Sequence, residues 1–252
     1  MLYNNINDFK SKYAIFKSKY ENNDTFESTD LCTILDSNRS DKSYPSDSKD
    51  RIDDYTELVL KKKRSFHNYS LFYHEFFSHI REDNMSIFEV GLGSNNSDVR
   101  GFMGNDARPG ASLYAWSEYF KNGRIYGADI DKRIIFNDDN KRIKTYCFDQ
   151  ANRDSVRRAF DEIGHKVDII IDDGLHFPEY NMKFFENSFQ YLEEGGLFII
   201  EDLFLARHTT KNFNKQHKRN LEKIRGTCRF ADILTLKSTF NKKDNNLMVI
   251  LK

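Results

Sequence analysis

The sequence predicts an α/β fold. A Rossmann-like, seven-stranded, mostly parallel sheet carries an antiparallel C-terminal strand and helices on both faces, with a helical segment in front. Three observations carry that expectation. Short apolar runs alternate with helix-length amphipathic stretches from Ser86 to Asp202, the pattern of successive strand–helix–strand units. The first run ends in a glycine turn, Gly91-Leu92-Gly93. The last two runs, FADILTLKS and NNLMVILK, flank FNKKD with no helix between them, so an antiparallel pair at the sheet edge is expected.

Taken in order, residues 1–35 carry Phe9, Tyr13, Phe16 and Tyr20 at helical spacing. Residues 36–50, DSNRSDKSYPSDSKD, have the Ser/Asp/Pro content of a loop or linker. Residues 51–80 read as helical again, with Leu58, Leu60, Phe72, Phe76, Phe77 and Ile80 as buried candidates. Residues 1–80 are therefore expected to form a helical lid or oligomerisation segment, ahead of a domain over 81–252. In that domain SIFEVGLG, RIYGADI, RIKTYCFD, VDIIIDD and GGLFIIED read as strands. Residues 111–120, 153–163 and 179–192 read as the helices between them. Trp116 and Tyr119 are expected in the core, and Cys147 as a small buried hydrophobe within its strand.

Composition excludes several classes of function. At 252 residues the chain can bury one sizeable core. Lys+Arg and Asp+Glu both number 39, so no net charge draws it to nucleic acid or an anionic membrane. No run approaches the roughly 18 apolar residues of a membrane helix. Cys32, Cys147 and Cys228 are too scattered for a disulfide framework or a zinc pattern. These features read as a reduced, cytoplasmic chain without a nucleic-acid or membrane partner.

The chemistry concentrates at strand ends. Glycines at 91 and 93 let a ligand approach the backbone, as does the turn of a nucleotide-binding fold, although the third glycine of the dinucleotide fingerprint is missing. Glu89 precedes that turn. Asp129 ends the second strand, where an acid can accept hydrogen bonds from two ribose hydroxyls. Asp149, with Gln150, ends the third, where it can meet an adenine edge. Each of these acids alone also suits a helix cap. Asp172, Asp173 and His176 follow one apolar strand, and Glu201 with Asp202 ends the next. Neighbouring parallel strands bring their carboxyl ends into one crevice, so up to four carboxylates and an imidazole converge. Such charge calls for a cation, and an oxygen-rich set favours a hard ion, Mg²⁺ or Ca²⁺, with Mn²⁺ also admitted. The insertion 94–110 between the first strand and its helix can fold over a bound cofactor.

EVGLG, GASLYAW, IYGADID, FDQ, VDIIIDDGLH and GGLFIIEDL, in this order, resemble the class I S-adenosylmethionine-dependent methyltransferases. More closely they resemble the metal-dependent sugar O-methyltransferases of macrolide biosynthesis. The resemblance spans about 86–203. It implies S-adenosylmethionine and Mg²⁺ (or Mn²⁺) as cofactors, with Asp173, Glu201 and Asp202 as metal ligands and His176 as general base. It implies cofactor contacts for Glu89, Gly91, Asp129, Asp149 and Gln150, to which Gly93 and Asp172 are added from their places beside them. Leu175 departs from the small residue usual before the histidine, and the 94–110 insertion is long, so both bear on substrate identity. The expected acceptor is a small-molecule sugar or nucleotide sugar, such as an activated heptose or hexose for capsular polysaccharide. A homo-oligomer is admitted. The alternatives are another small-molecule or phosphate-like acceptor, a nicotinamide-dependent oxidoreductase, or a non-catalytic nucleotide-binding protein.

Overall fold

The computed structural model describes residues 2–22, 31, 68–100, 102–105, 107–205, 212–237 and 245–252. Leu58, Leu60, Cys32 and the 36–50 segment lie outside these residues.

Among the described residues the strands are β1 (Ser86–Val90), β2 (Arg124–Asp129), β3 (Asn137–Asp138), β4 (Ile143–Cys147), β5 (Val167–Asp172), β6 (Leu192–Ile200), β7 (Phe230–Thr235) and β8 (Asn246–Leu251). They form one eight-stranded sheet in the order β3-β4-β2-β1-β5-β6-β8-β7. Strands β4, β2, β1, β5 and β6 pair parallel. The β7–β8 pair is antiparallel, as the helix-free connection implies, but β8 inserts between β6 and β7 and leaves β7 at the edge. The strand beyond the expected seven is β3, two residues antiparallel to β4 and too short to show a periodic signal.

Helices α1 (Ile6–Asn22), α2 (Tyr69–Phe77), α3 (Ala111–Tyr119), α4 (Arg153–Ile163), α5 (Pro178–Ser188) and α6 (Phe213–Arg225) pack on this sheet. The period of two along each strand divides the core. Ile87, Ile125, Ile169, Ile171, Leu197 and Ile199 face α1, α2 and α3. Phe88, Tyr126, Ile170, Phe198 and Ile200 face α4, α5 and α6. Because both faces are covered, the central strands read as continuous apolar runs rather than alternating ones.

Phe9, Tyr13, Phe16 and Tyr20 are all buried along one face of α1, as their spacing predicts. Helix α1 packs against β7, where the Lys17 ammonium donates to Asp232 and the Lys237 N–H donates to the Tyr20 carbonyl at 3.0 Å. Phe72, Phe76, Phe77 and Ile80 join the same cluster, so residues on both sides of position 80 share one core. Trp116 and Tyr119 are buried as expected. Cys147 is not: as the last residue of β4 it is exposed, at the strand end rather than beneath a helix.

Candidate active site

The carboxyl ends of β1, β2, β4, β5 and β6 meet on one side of the sheet. The turns after β1 and β5 are packed into a single unit. Gly91 has φ +96°, and a Cβ there would lie 2.0 Å from the Asp173 carbonyl oxygen. Only glycine fits both the backbone angle and that approach. The Asp173 N–H donates to the Val90 carbonyl at 2.9 Å, and Gly91 N–H to Ala128 at 2.8 Å.

The residues expected around the cofactor divide by what they touch. Asp129 is buried at the end of β2 and accepts from the Leu92 N–H at 2.8 Å and the Asp131 N–H at 2.9 Å. It ties the glycine turn to β2. Glu89 is buried against α3, where Ser112 Oγ and Trp116 Nε1 each donate to its carboxylate, the latter at 2.6 Å. Burial pushes the Glu89 carboxyl up to about 7, opposed by those two donors. Asp172 has no exposed surface and accepts from Asn181 Nδ2 at 2.9 Å, Gly174 N–H at 3.2 Å and Gln150 Nε2 at 3.3 Å. Gln150 Oε1 accepts from the Leu175 N–H at 3.0 Å, and a Cβ on Gly174 would come within 2.2 Å of that oxygen. Asp172 and Gln150 thus hold the 173–176 turn in shape. Asp149 is exposed and caps the turn after β4 by accepting from the Ala151 N–H at 2.9 Å.

One hub went unnoticed in the sequence. Asp131 accepts from Ser94 Oγ at 2.6 Å, Asn96 Nδ2 at 2.8 Å and Arg133 Nε at 2.7 Å, while Arg133 reaches Asp98 at 2.9 Å. The guanidinium, ahead of the other donors, holds the Asp131 carboxyl well below the usual range. This hub fastens the start of the 94–110 insertion to the end of β2. The Met103 N–H then donates back to Ser94 at 2.8 Å, which closes the loop beside Gly93. The second acid of ADID was the available signal. Ile130, between the two acids, is an apolar residue exposed at 61%.

At the opposite side, Asp173, His176 and Asp202 each bring a potential ligand atom within 4.8 Å of one another. His176 Nε2 lies 3.9 Å from Asp202 Oδ2, and His176 Nδ1 is buried with no hydrogen-bond partner. His176 and Asp202 both hold positive φ, 57° and 54°, a conformation uncommon for residues other than glycine and concentrated at functional sites. The sequence placed Glu201 in the ligand set. In the structure His176 completes the close cluster, and Glu201 accepts a hydrogen bond from the Tyr73 hydroxyl. Tyr69 Oη donates to Asp202 Oδ1 at 2.8 Å and accepts from the Asp202 N–H at 3.2 Å. Burial first, then the neighbouring carboxylates, raise both phenols well above their usual range. Neither tyrosine was singled out in the sequence. Their i, i+4 spacing puts them on one helix face, but nothing in the sequence says which face meets the acids.

Burial is also the largest cause raising the Asp173 and Glu201 carboxyls well above the usual range, followed by the repulsion of nearby acids. Concentrated carboxylates beside an imidazole, with no thiolate among them, suit a hard divalent cation. The donor chemistry therefore fits Mg²⁺ or Mn²⁺.

The parallel order β4-β2-β1-β5-β6, continued by the antiparallel β8-β7 pair, is a Rossmann-like fold of the kind found in solved methyltransferases. No protein-family model matches the chain. Among curated proteins it is similar to the 8-demethyl-8-alpha-L-rhamnosyl tetracenomycin-C 2'-O-methyltransferase of Streptomyces olivaceus, 33% identical over 141 residues, 56% of this chain and 34% of that protein. It is similar to the demethylmacrocin O-methyltransferase of Streptomyces fradiae, 30% identical over 159 residues, 63% of this chain and 38% of that protein. The matches span about a third of the relatives' own length. Among solved structures, the MycE methyltransferase of mycinamycin biosynthesis, in complex with Mg, SAH and mycinamycin VI, shares the fold at a TM-score of 0.55 and 23% identity. That likeness covers 78% of this chain and 54% of MycE. No helix among the described residues is long and apolar enough to cross a membrane.

Proposed function

We propose that the protein is an S-adenosylmethionine-dependent, divalent-metal-assisted O-methyltransferase whose acceptor is a hydroxyl of a sugar. The observation that carries this reading is the convergence of Asp173, His176 and Asp202 beside a glycine turn at the carboxyl edge of the sheet. Both curated relatives are named as O-methyltransferases, one of them for the 2' position of a rhamnosyl tetracenomycin, which supports the sugar hydroxyl.

When bound, S-adenosylmethionine supplies an activated methyl group, and a divalent cation supplies charge that eases ionisation of a hydroxyl. The chain's own residues do the rest. Gly91 lets the turns after β1 and β5 pack together, and the 91–93 turn so formed would present its backbone to the cofactor. Asp129 keeps lone pairs beyond its two backbone bonds with which to accept from ribose hydroxyls. Asp149 stands at the rim, and Glu89, Gln150 and Asp172 brace the walls. Asp173 and Asp202 would hold the cation, with Glu201 beside them. His176 Nε2 faces the carboxylates and takes the acceptor proton, and Asp202 stabilises the imidazolium that forms. Orienting the oxygen in line with the methyl group supplies much of the remaining acceleration.

The acceptor class is tested with labelled cofactor against rhamnosyl polyketides, macrolide glycosides and nucleotide-activated hexoses and heptoses, with and without a chelator. Methyl transfer to a sugar in any of these, lost on chelation, supports the reading. Transfer to a nucleotide-activated heptose alone would favour a role in capsular polysaccharide. Transfer confined to a non-sugar acceptor would overturn the sugar assignment.

A further inference from the structure

Helix α2 reaches the acid cluster with two phenols. Its first turn is fixed by Asn68, whose N–H donates to Asn245 Oδ1 at 3.0 Å and whose Nδ2 donates to the Lys237 carbonyl at 3.2 Å. Asn245 is itself held by the Leu236 carbonyl at 2.7 Å. The Tyr73 ring stands edge-on to Trp116 at 5.2 Å, and Trp116 is fastened to Glu89. Neither ring can swing freely within such packing.

We infer that Tyr69 and Tyr73 are positioning residues for the candidate cation site, an inference that rests on the metal reading above. Tyr69 grips Asp202 twice, at its N–H and at Oδ1, which holds the positive-φ backbone and turns Oδ2 toward His176. Tyr73 holds Glu201, the residue before Asp202, through its Oε1. Hydrogen-bonded outer partners of this kind orient ligands and tune their affinity. The segment before the sheet is thereby part of the site, since the phenols come from α2 and the carboxylates from the end of β6.

The test uses Mn²⁺ alone, titrated calorimetrically into the full chain and into Tyr69→Phe, Tyr73→Phe and Phe72→Leu. The last perturbs packing on the same helix without touching a carboxylate hydrogen bond. Each Tyr→Phe variant is expected to weaken Mn²⁺ binding about 10-fold, while Phe72→Leu does not and S-adenosylhomocysteine binds all four alike. Unchanged Mn²⁺ affinity in the folded tyrosine variants overturns the inference, as does an equal loss in Phe72→Leu. The two tyrosines are read independently, so a variant that fails to fold leaves the other to decide. If the unaltered chain binds no Mn²⁺, the metal reading itself fails, which is a distinct result.

Discussion

Glu89 illustrates how a residue can stand out in the sequence while its partners stay hidden. Its place before the glycine turn marked it in the sequence; the Ser112 and Trp116 donors come from the far side of a long insertion. Its carboxyl is raised to about 7, so the folded chain holds that proton more tightly than the unfolded chain, where the ordinary value of 4.5 applies. The sign follows: this group's contribution falls as pH rises from about 4.5 to about 7, and is level above that. Glu89→Gln should remove up to about 3 kcal/mol of that pH-dependent loss. Urea unfolding at pH 5 and pH 7.5 checks this: the gap between the two stabilities should narrow in the variant, and an unchanged gap contradicts it. His176 stands out in the sequence beside a strand-end acid, and its role as base is what the family resemblance implies. His176→Ala should lower methyl transfer at least about 100-fold while leaving S-adenosylhomocysteine affinity intact. A fall in both would point to a collapsed turn instead of a lost base. Tyr69 and Tyr73 were illegible because the sequence does not state which helix covers which strand end.

At the scale of elements, the parallel core was legible because strands buried on both faces advertise themselves as unbroken apolar runs. The place of β8 was not. Apolar content says that NNLMVILK is buried, yet whether it lies between β6 and β7 or outside them depends on register along neighbouring strands. The two-residue β3 lies below any periodic signal. The junction between the β1 and β5 turns makes the sharpest demand on sequence. Gly91→Ala combines an unfavourable φ with a Cβ driven into the Asp173 carbonyl. The expected cost is about 2–5 kcal/mol, read as a lower urea midpoint, with cofactor-product affinity falling in parallel because the same turn borders both sites. A variant as stable as the parent and equally able to bind would show that the turns are not one unit.

At the scale of the whole molecule, α1 and α2 share a core with the sheet, and α2 also reaches the acids. The sheet's carboxyl edge divides into two halves: an apolar and acidic side around Asp129, Asp131 and Ile130, and a carboxylate–imidazole side around Asp173, His176 and Asp202. In the proposed function the cofactor takes the first half and the acceptor the second, the arrangement that in-line methyl transfer needs. Its most direct test is calorimetric titration of S-adenosylhomocysteine into the purified chain, with NAD as the comparison ligand. Micromolar binding of S-adenosylhomocysteine and none of NAD is the predicted result. Binding of NAD alone would contradict the account and return the acidic cluster to a feature without a function.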